Sequence, residues 1–147
     1  MYKQKIAGII SILLVAIMCL SLFAACKKID RIEETQVQEV ILWVDGKSGE
    51  YTLNEEQVAK VIELYNTSKY EGEGIGDGGT PQFQFCVYFR NGAYLVINEF
   101  DGSQDRDFEV SLYNADKTEQ SWYYVSSDAL KGFALELVEQ VKQNGNS

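Results

Sequence analysis

Apolar and polar positions recur with two different periods along the chain, and each change of period marks an element. VILWV, residues 40 to 44, is β-branched and aromatic and reads as a strand; DGKSG supplies turn chemistry, and EYTL, 50 to 53, pairs back as a short hairpin partner. Asn54, with Gln57 three residues on, has the form of a capping box. It opens a helix in which Val58, Val61, Ile62 and Tyr65 make one stripe at i, i+3, i+4 and i+7, and which ends near Ser68. Beyond Pro81 the period becomes two, with Phe83, Phe85, Val87 and Phe89 alternating with Gln82, Gln84, Cys86 and Tyr88. Asn91-Gly92 then signals a two-residue hairpin loop. That loop would set Phe89 opposite Tyr94, Val87 opposite Val96, Phe85 opposite Asn98 and Phe83 opposite Phe100, leaving Cys86, Tyr88, Leu95 and Ile97 to share the other face. FEVSLY, 108 to 113, and SWYYV, 121 to 125, are two further strands joined by the polar turn NADKTEQ. Ser126 or Ser127 caps a last helix whose stripe is Leu130, Phe133, Ala134, Leu137, Val138 and Val141.

The order predicts an α+β fold: an antiparallel sheet, made of an N-terminal hairpin plus a four-stranded meander, with two helices on one face. Residues 37 to 142 form the single domain and 143 to 147 a frayed tail. Residues 27 to 36, KKIDRIEETQ, are charged and free of aromatics, as expected of a tether.

The leader has a different pattern. Lys3 and Lys5 precede an uncharged apolar stretch from Ile6 to Phe23, which closes on Ala24, Ala25 and Cys26. In LFAAC the chain resembles bacterial lipoprotein precursors, with Phe23 at the position where such leaders mostly carry Leu. The resemblance implies that residues 1 to 25 are removed by the lipoprotein signal peptidase and that Cys26 is acylated and becomes the mature N-terminus. The protein would then be anchored through lipid on the outer side of the cytoplasmic membrane. The alternative is an uncleaved transmembrane anchor, since about 20 apolar residues can span a bilayer. The layout of the remainder is also similar to that of small uncharacterised Gram-positive lipoproteins, a likeness that implies no activity.

This reading changes the meaning of charge and cysteine count. The leader holds two of the 13 basic residues and none of the 22 acidic ones, so the remainder has 11 against 22, a net charge of −11. Such a balance argues against binding nucleic acid or anionic lipid through charge, and the lipid anchor makes the membrane contact that a basic patch would otherwise provide. With Cys19 in the leader and Cys26 acylated, Cys86 stands alone and no intramolecular disulfide forms; in FQFCVYF it reads as a small hydrophobe. Histidine is absent, which removes Ser/His/Asp and Cys/His nucleophile systems and most zinc chemistry.

Three constellations remain. A sheet face left open by the helices can hold Trp43, Tyr88, Tyr113, Trp122 and either Tyr123 or Tyr124, which must point to opposite faces. Tyr88, Tyr113, Trp122 and Tyr124 are the candidate binding surface, because such rings bury much area for few torsions. EFDGSQDRDFE, 99 to 109, gathers carboxylates, of which Asp101, Asp105 and Asp107 are weak calcium candidates; the same carboxylates are the basis for a carboxylate-dependent hydrolase. GIGDGG, Gly74 to Gly79, satisfies GxGxxG, yet it follows a helix and leads into a strand, the reverse of a dinucleotide loop, and Glu71, Glu73 and Asp77 would repel phosphate. No nucleotide and no cofactor are implied, and the segment reads as a connector.

The function expected is a noncatalytic binding domain on a lipid anchor, holding a protein, peptide or envelope component. An inhibitor or immunity-type protein that blocks an enzyme or toxin is the alternative, and a carboxylate-based envelope hydrolase the second alternative.

Overall fold

The structure is a computed structural model that describes residues 29–45, 50–74, 80–103 and 106–144. Cys26, most of the glycine-rich segment, Asp105 and the last three residues lie outside the described residues. The elements follow as β1 (Val37–Val44), β2 (Tyr51–Thr52), α1 (Glu55–Asn66), β3 (Lys69–Glu73), β4 (Phe83–Phe89), β5 (Tyr94–Ser103), β6 (Arg106–Tyr113), β7 (Glu119–Ser126) and α2 (Asp128–Asn144). The strands form one antiparallel sheet in the order β2-β1-β4-β5-β6-β7-β3. The N-terminal hairpin and the meander are joined by β1, which pairs with β4 from Val37 to Val44.

One face of this sheet makes the core. Val40, Leu42, Val44, Phe83, Phe85, Val87, Leu95, Ile97, Phe108, Val110, Tyr123 and Val125 belong to one cluster with Val61, Ile62 and Tyr65 of α1 and Leu130, Ala134, Leu137 and Val138 of α2. Both helical stripes are thus spent on the same interior, as their 3.6 periodicity requires. The capping box forms as expected, with Gln57 N–H donating to Asn54 Oδ1 at 2.9 Å and Asn54 N–H to Gln57 Oε1 at 3.0 Å. Ser127 caps α2 through a hydrogen bond from Leu130 N–H to its Oγ.

The hairpin register differs from the expected one by one residue. Phe85 faces Ile97, Val87 faces Leu95 and Tyr88 faces Tyr94. The loop is not a two-residue turn: Phe89 N–H donates to Ala93 O and Gly92 N–H to Phe89 O, and Gly92 sits at φ 86°. This is a type I turn closed by a left-handed residue, the three-residue alternative for the same Asn-Gly signal. Because side chains alternate, the shift moves Leu95 and Ile97 into the core and sends Tyr94, Val96 and Asn98 to the opposite face. The β6–β7 turn repeats the geometry, with Asn114 N–H donating to Thr118 O and Lys117 N–H to Asn114 O. Here Lys117, at φ 67°, holds the position that Gly92 holds in the other turn.

Strand β3 was not expected. KYEGE has no apolar alternation, carries two glutamates and contains Gly72, at φ 129° beside a break in register with β7. Periodicity cannot detect such a strand, because an edge strand is kept polar to prevent further pairing. The other edge, β2, is blunted by being two residues long.

The segment expected as a tether is also largely built into the body. Ile32 is buried and Ile29 packs on the core. Asn66, at the end of α1, bonds both backbone groups of Ile32, Oδ1 accepting from its N–H and Nδ2 donating to its carbonyl, each at 2.8 Å. Asp30 closes a ring of three hydrogen bonds: its N–H donates to Tyr123 Oη (3.2 Å), the two tyrosine hydroxyls meet at 2.5 Å, and Tyr65 O–H donates to the Asp30 carbonyl (3.1 Å). Each hydroxyl there gives one hydrogen bond and accepts one, so two buried phenols are satisfied by main chain. We call residues 29–36 the strap; it ends in a single 3-10 turn, Glu34–Gln36.

Candidate functional site

The sheet face away from the core is organised in three cross-strand rows. The first reads Glu39, Tyr88, Tyr94, Tyr113, Glu119. The second reads Ile41, Cys86, Val96, Ser111, Trp122, and the third Trp43, Gln84, Asn98, Glu109, Tyr124. Five of the expected surface aromatics, Trp43, Tyr88, Tyr113, Trp122 and Tyr124, therefore do share one face, and Tyr123, as the alternation demands, turns to the core.

In the first row three tyrosines stand side by side. The Tyr94 and Tyr113 rings stack at 4.8 Å and 13°, and Tyr88 and Tyr94 lie 6.0 Å apart at 34°. All three are half-buried. Tyr113 O–H points to Glu119 Oε2 at 3.4 Å, so a carboxylate closes one end of the row, and Glu39 stands at the other. Burial is the main reason the Tyr88 and Tyr113 phenols are held above the usual tyrosine range, with Cys86, Glu50 and Glu39 adding to it at Tyr88 and Glu119 at Tyr113. Both hydroxyls stay protonated and serve as hydrogen-bond donors rather than as bases.

The other expected residues are placed differently. Tyr124 is on this face but fully covered: Phe100 lies against it at 4.9 Å and the Arg106 guanidinium sits 4.4 Å above its ring. It is a packed residue with a cation–π lid and does not offer contact area, which corrects its assignment to the binding surface. Trp122 is half-buried because Gly74 lies on its indole; a Cβ at Gly74 would fall inside van der Waals contact with Cδ1, Cγ and Nε1. Gly74 N–H also donates to the Trp122 carbonyl at 2.9 Å. At its described end, the glycine-rich segment thus uses glycine for close approach to a ring. It follows strand β3 and not a helix.

Asp107 spends both carboxylate oxygens at the start of α2, Oδ2 accepting from Ser127 N–H at 2.8 Å and Oδ1 pairing with Lys131 at 3.2 Å. Asp101 is placed only as backbone of β5. Among the described residues no group of three or more Asp, Glu or Cys side chains is arranged to hold a metal ion. Cys86 is half-buried on the open face, not in the core; burial raises its thiol above the ordinary range, against a weak contact from Gln84. That keeps it a thiol and a poor nucleophile. Glu71 is held below the usual carboxylate range by Lys69 and then by Ser126, which suits an ion pair and not a general base.

Sequence reasoning missed two parts of this end of the molecule. Tyr94 was assigned to the wrong face through the register, and a cleft of about 510 Å³ depends on packing between distant segments. The strap, the β4–β5 turn and the ends of β5 and β6 line it, with Arg31 and Arg90 contributing guanidinium groups and Leu95, Leu112 and Tyr113 its apolar and aromatic wall. Arg90 Nε donates to Thr35 O, tying the turn to the strap.

Among the described residues no helix is long and apolar enough to cross a membrane. The chain matches no protein-family model, no curated protein and no solved structure. Its chemistry is therefore read from its own geometry.

Proposed function

We propose that the chain is a lipid-anchored, noncatalytic binding domain on the outer side of the cytoplasmic membrane, and that its open sheet face holds a partner protein by a basic segment. The observation that carries this reading is the row Glu39, Tyr88, Tyr94, Tyr113, Glu119, in which half-buried tyrosines are bracketed by carboxylates. Rings locked against their neighbours lose little side-chain entropy on binding, and aromatic contact area is what interface centres use. The flanking carboxylates and a net charge of −11 beyond the leader complement Lys or Arg on the partner and speed encounter. The LFAAC sequence ending on Cys26 supports the anchor.

Two measurements test it. Labelled palmitate is expected to enter the native chain and not Cys26→Ser; absence of label from both removes the anchor. Crosslinking in native membranes is expected to recover a partner whose yield falls at least tenfold in Tyr88→Ala/Tyr113→Ala and drops with added salt. A partner recovered equally by that variant, or none at all, removes the open face from the reading.

A further inference from the structure

The anchor and the strap together fix which end of the domain meets the lipid. Asp30 is held by its N–H and carbonyl to Tyr123 and Tyr65, and by its carboxylate to Ser121 Oγ at 2.9 Å. It lies four positions beyond Cys26, and a chain of that length reaches at most about 14 Å. A free linker of ten residues, as the sequence pattern implied, would let the domain turn in any direction. The strap removes that freedom, because its residues from Ile29 onward belong to the body.

We propose that the cleft end of the domain lies against the bilayer, with Arg31 and Arg90 pairing with headgroup phosphates; this rests on the acylation of Cys26. Two guanidinium groups stand at this end, among carboxylates that include Glu39 and Glu119 of the tyrosine row. Arg31 and Arg90 line the cleft and are exposed. Neither has a carboxylate partner within ion-pair distance among the described residues. Arg90 uses Nε on Thr35, which orients its remaining N–H groups. Lys117 belongs to the neighbouring turn, where Ala115 abuts Gly92. Two nearby carboxylates, Asp30 and Asp116, are engaged within the chain, by Ser121 and Thr118 respectively. Glu33 and Glu34 are exposed on the strap, so the contact works through paired guanidinium–phosphate geometry and not through an excess of positive charge. The arrangement leaves the tyrosine row, which shares Tyr113 with the cleft, at the edge of the membrane contact zone.

The test uses the acylated full chain in phosphatidylglycerol–phosphatidylcholine vesicles, with Cys86→Ser as background. One nitroxide is placed at Asn114→Cys beside the cleft, or one at Asp45→Cys at the other end of the sheet, about 25 Å away by strand length. With nickel chelated to lipid headgroups, relaxation at position 114 is expected to exceed that at 45 at least fivefold. Arg31→Gln/Arg90→Gln should reduce that ratio at least twofold. Twelve Gly/Ser residues inserted between Lys28 and Ile29 should bring it close to one, while circular dichroism and melting stay unchanged. An acylated chain with equal relaxation at both labels, or more at 45, overturns the proposal, and an unchanged ratio in the double Arg variant overturns the phosphate contact. A chain that is never acylated in cells overturns the anchor and this orientation with it.

Discussion

The two faces of one sheet are closed by different means. Toward the helices, Phe83, Phe85, Val87, Ile97, Phe108 and Val110 are each 0% exposed and belong to one hydrophobic cluster. On the opposite face the same strands present tyrosines, Asn98, Glu109 and Ser111, and closure is partial. Asn98 Oδ1, Glu109 Oε2 and Trp122 Nε1 are buried there with no hydrogen-bond partner among the described residues. Burial on the first face is what folds the chain, since apolar area removed from water is the main favourable term. On the second face, stability is given up in unpaired polar atoms, a feature more often kept for recognition than for folding.

Substitutions can break this contrast. Phe85→Ala is expected to cost about 3–5 kcal/mol, because it opens a cavity in the buried cluster. Tyr94→Ala on the opposite face should cost no more than about 1 kcal/mol in the same urea titration; similar losses at the two positions would mean that both faces are core. Gly74→Ala places a methyl group into the Trp122 indole and should destabilise by roughly 1–3 kcal/mol, with a shift in tryptophan fluorescence.

The ring at the strap responds to pH. Burial raises both the Tyr65 and Tyr123 phenols above their ordinary value, most at Tyr65, where the Tyr123 neighbour adds to it. A raised folded value means that the folded state keeps protons the unfolded chain has released. Its contribution is therefore complete below about pH 10, the unfolded tyrosine value, and is lost as pH rises beyond it. Tyr65→Phe/Tyr123→Phe should cost about 1–3 kcal/mol at neutral pH and flatten the alkaline limb of a stability profile. A limb as steep as that of the native chain would assign the titration elsewhere. The smallest effect concerns the open face again. Asn98→Leu removes an unpaired oxygen and is expected to change stability by less than about 1 kcal/mol, in the stabilising direction.

What could be read from sequence follows the range over which each signal acts. The capping box at Asn54, both helical stripes and the period-two strands depend on residues within a few positions of one another, and the α+β architecture follows from them. The hairpin register failed because Asn-Gly serves two turn types, and the choice between them decides which face receives Leu95 and Tyr94. Strand β3 failed because its partner, β7, lies some fifty positions away and its own residues are chosen to stay polar. At the candidate site, alternation alone grouped Tyr88, Tyr113 and Trp122, but the lid over Tyr124 needs Phe100 and Arg106 brought across three strands. The strap was invisible because its grip is main-chain hydrogen bonding to Tyr65, Asn66 and Tyr123, and the apolar stripe of α1 gives Tyr65 no separate mark.

That grip also orders events in time. Asp30 emerges from the ribosome 93 residues before Tyr123, and β3 likewise waits for β7. The strap's bonds to Tyr65 and Asn66 need only α1, but its bond to Tyr123 and the β3 edge of the sheet cannot form until nearly the whole chain has been made. Contacts of such long sequence separation slow folding, since loop closure must precede their reward. The strap is therefore held in two stages, first by α1 and then by β7, and closure of the Asp30–Tyr123 bond marks the completion of the fold.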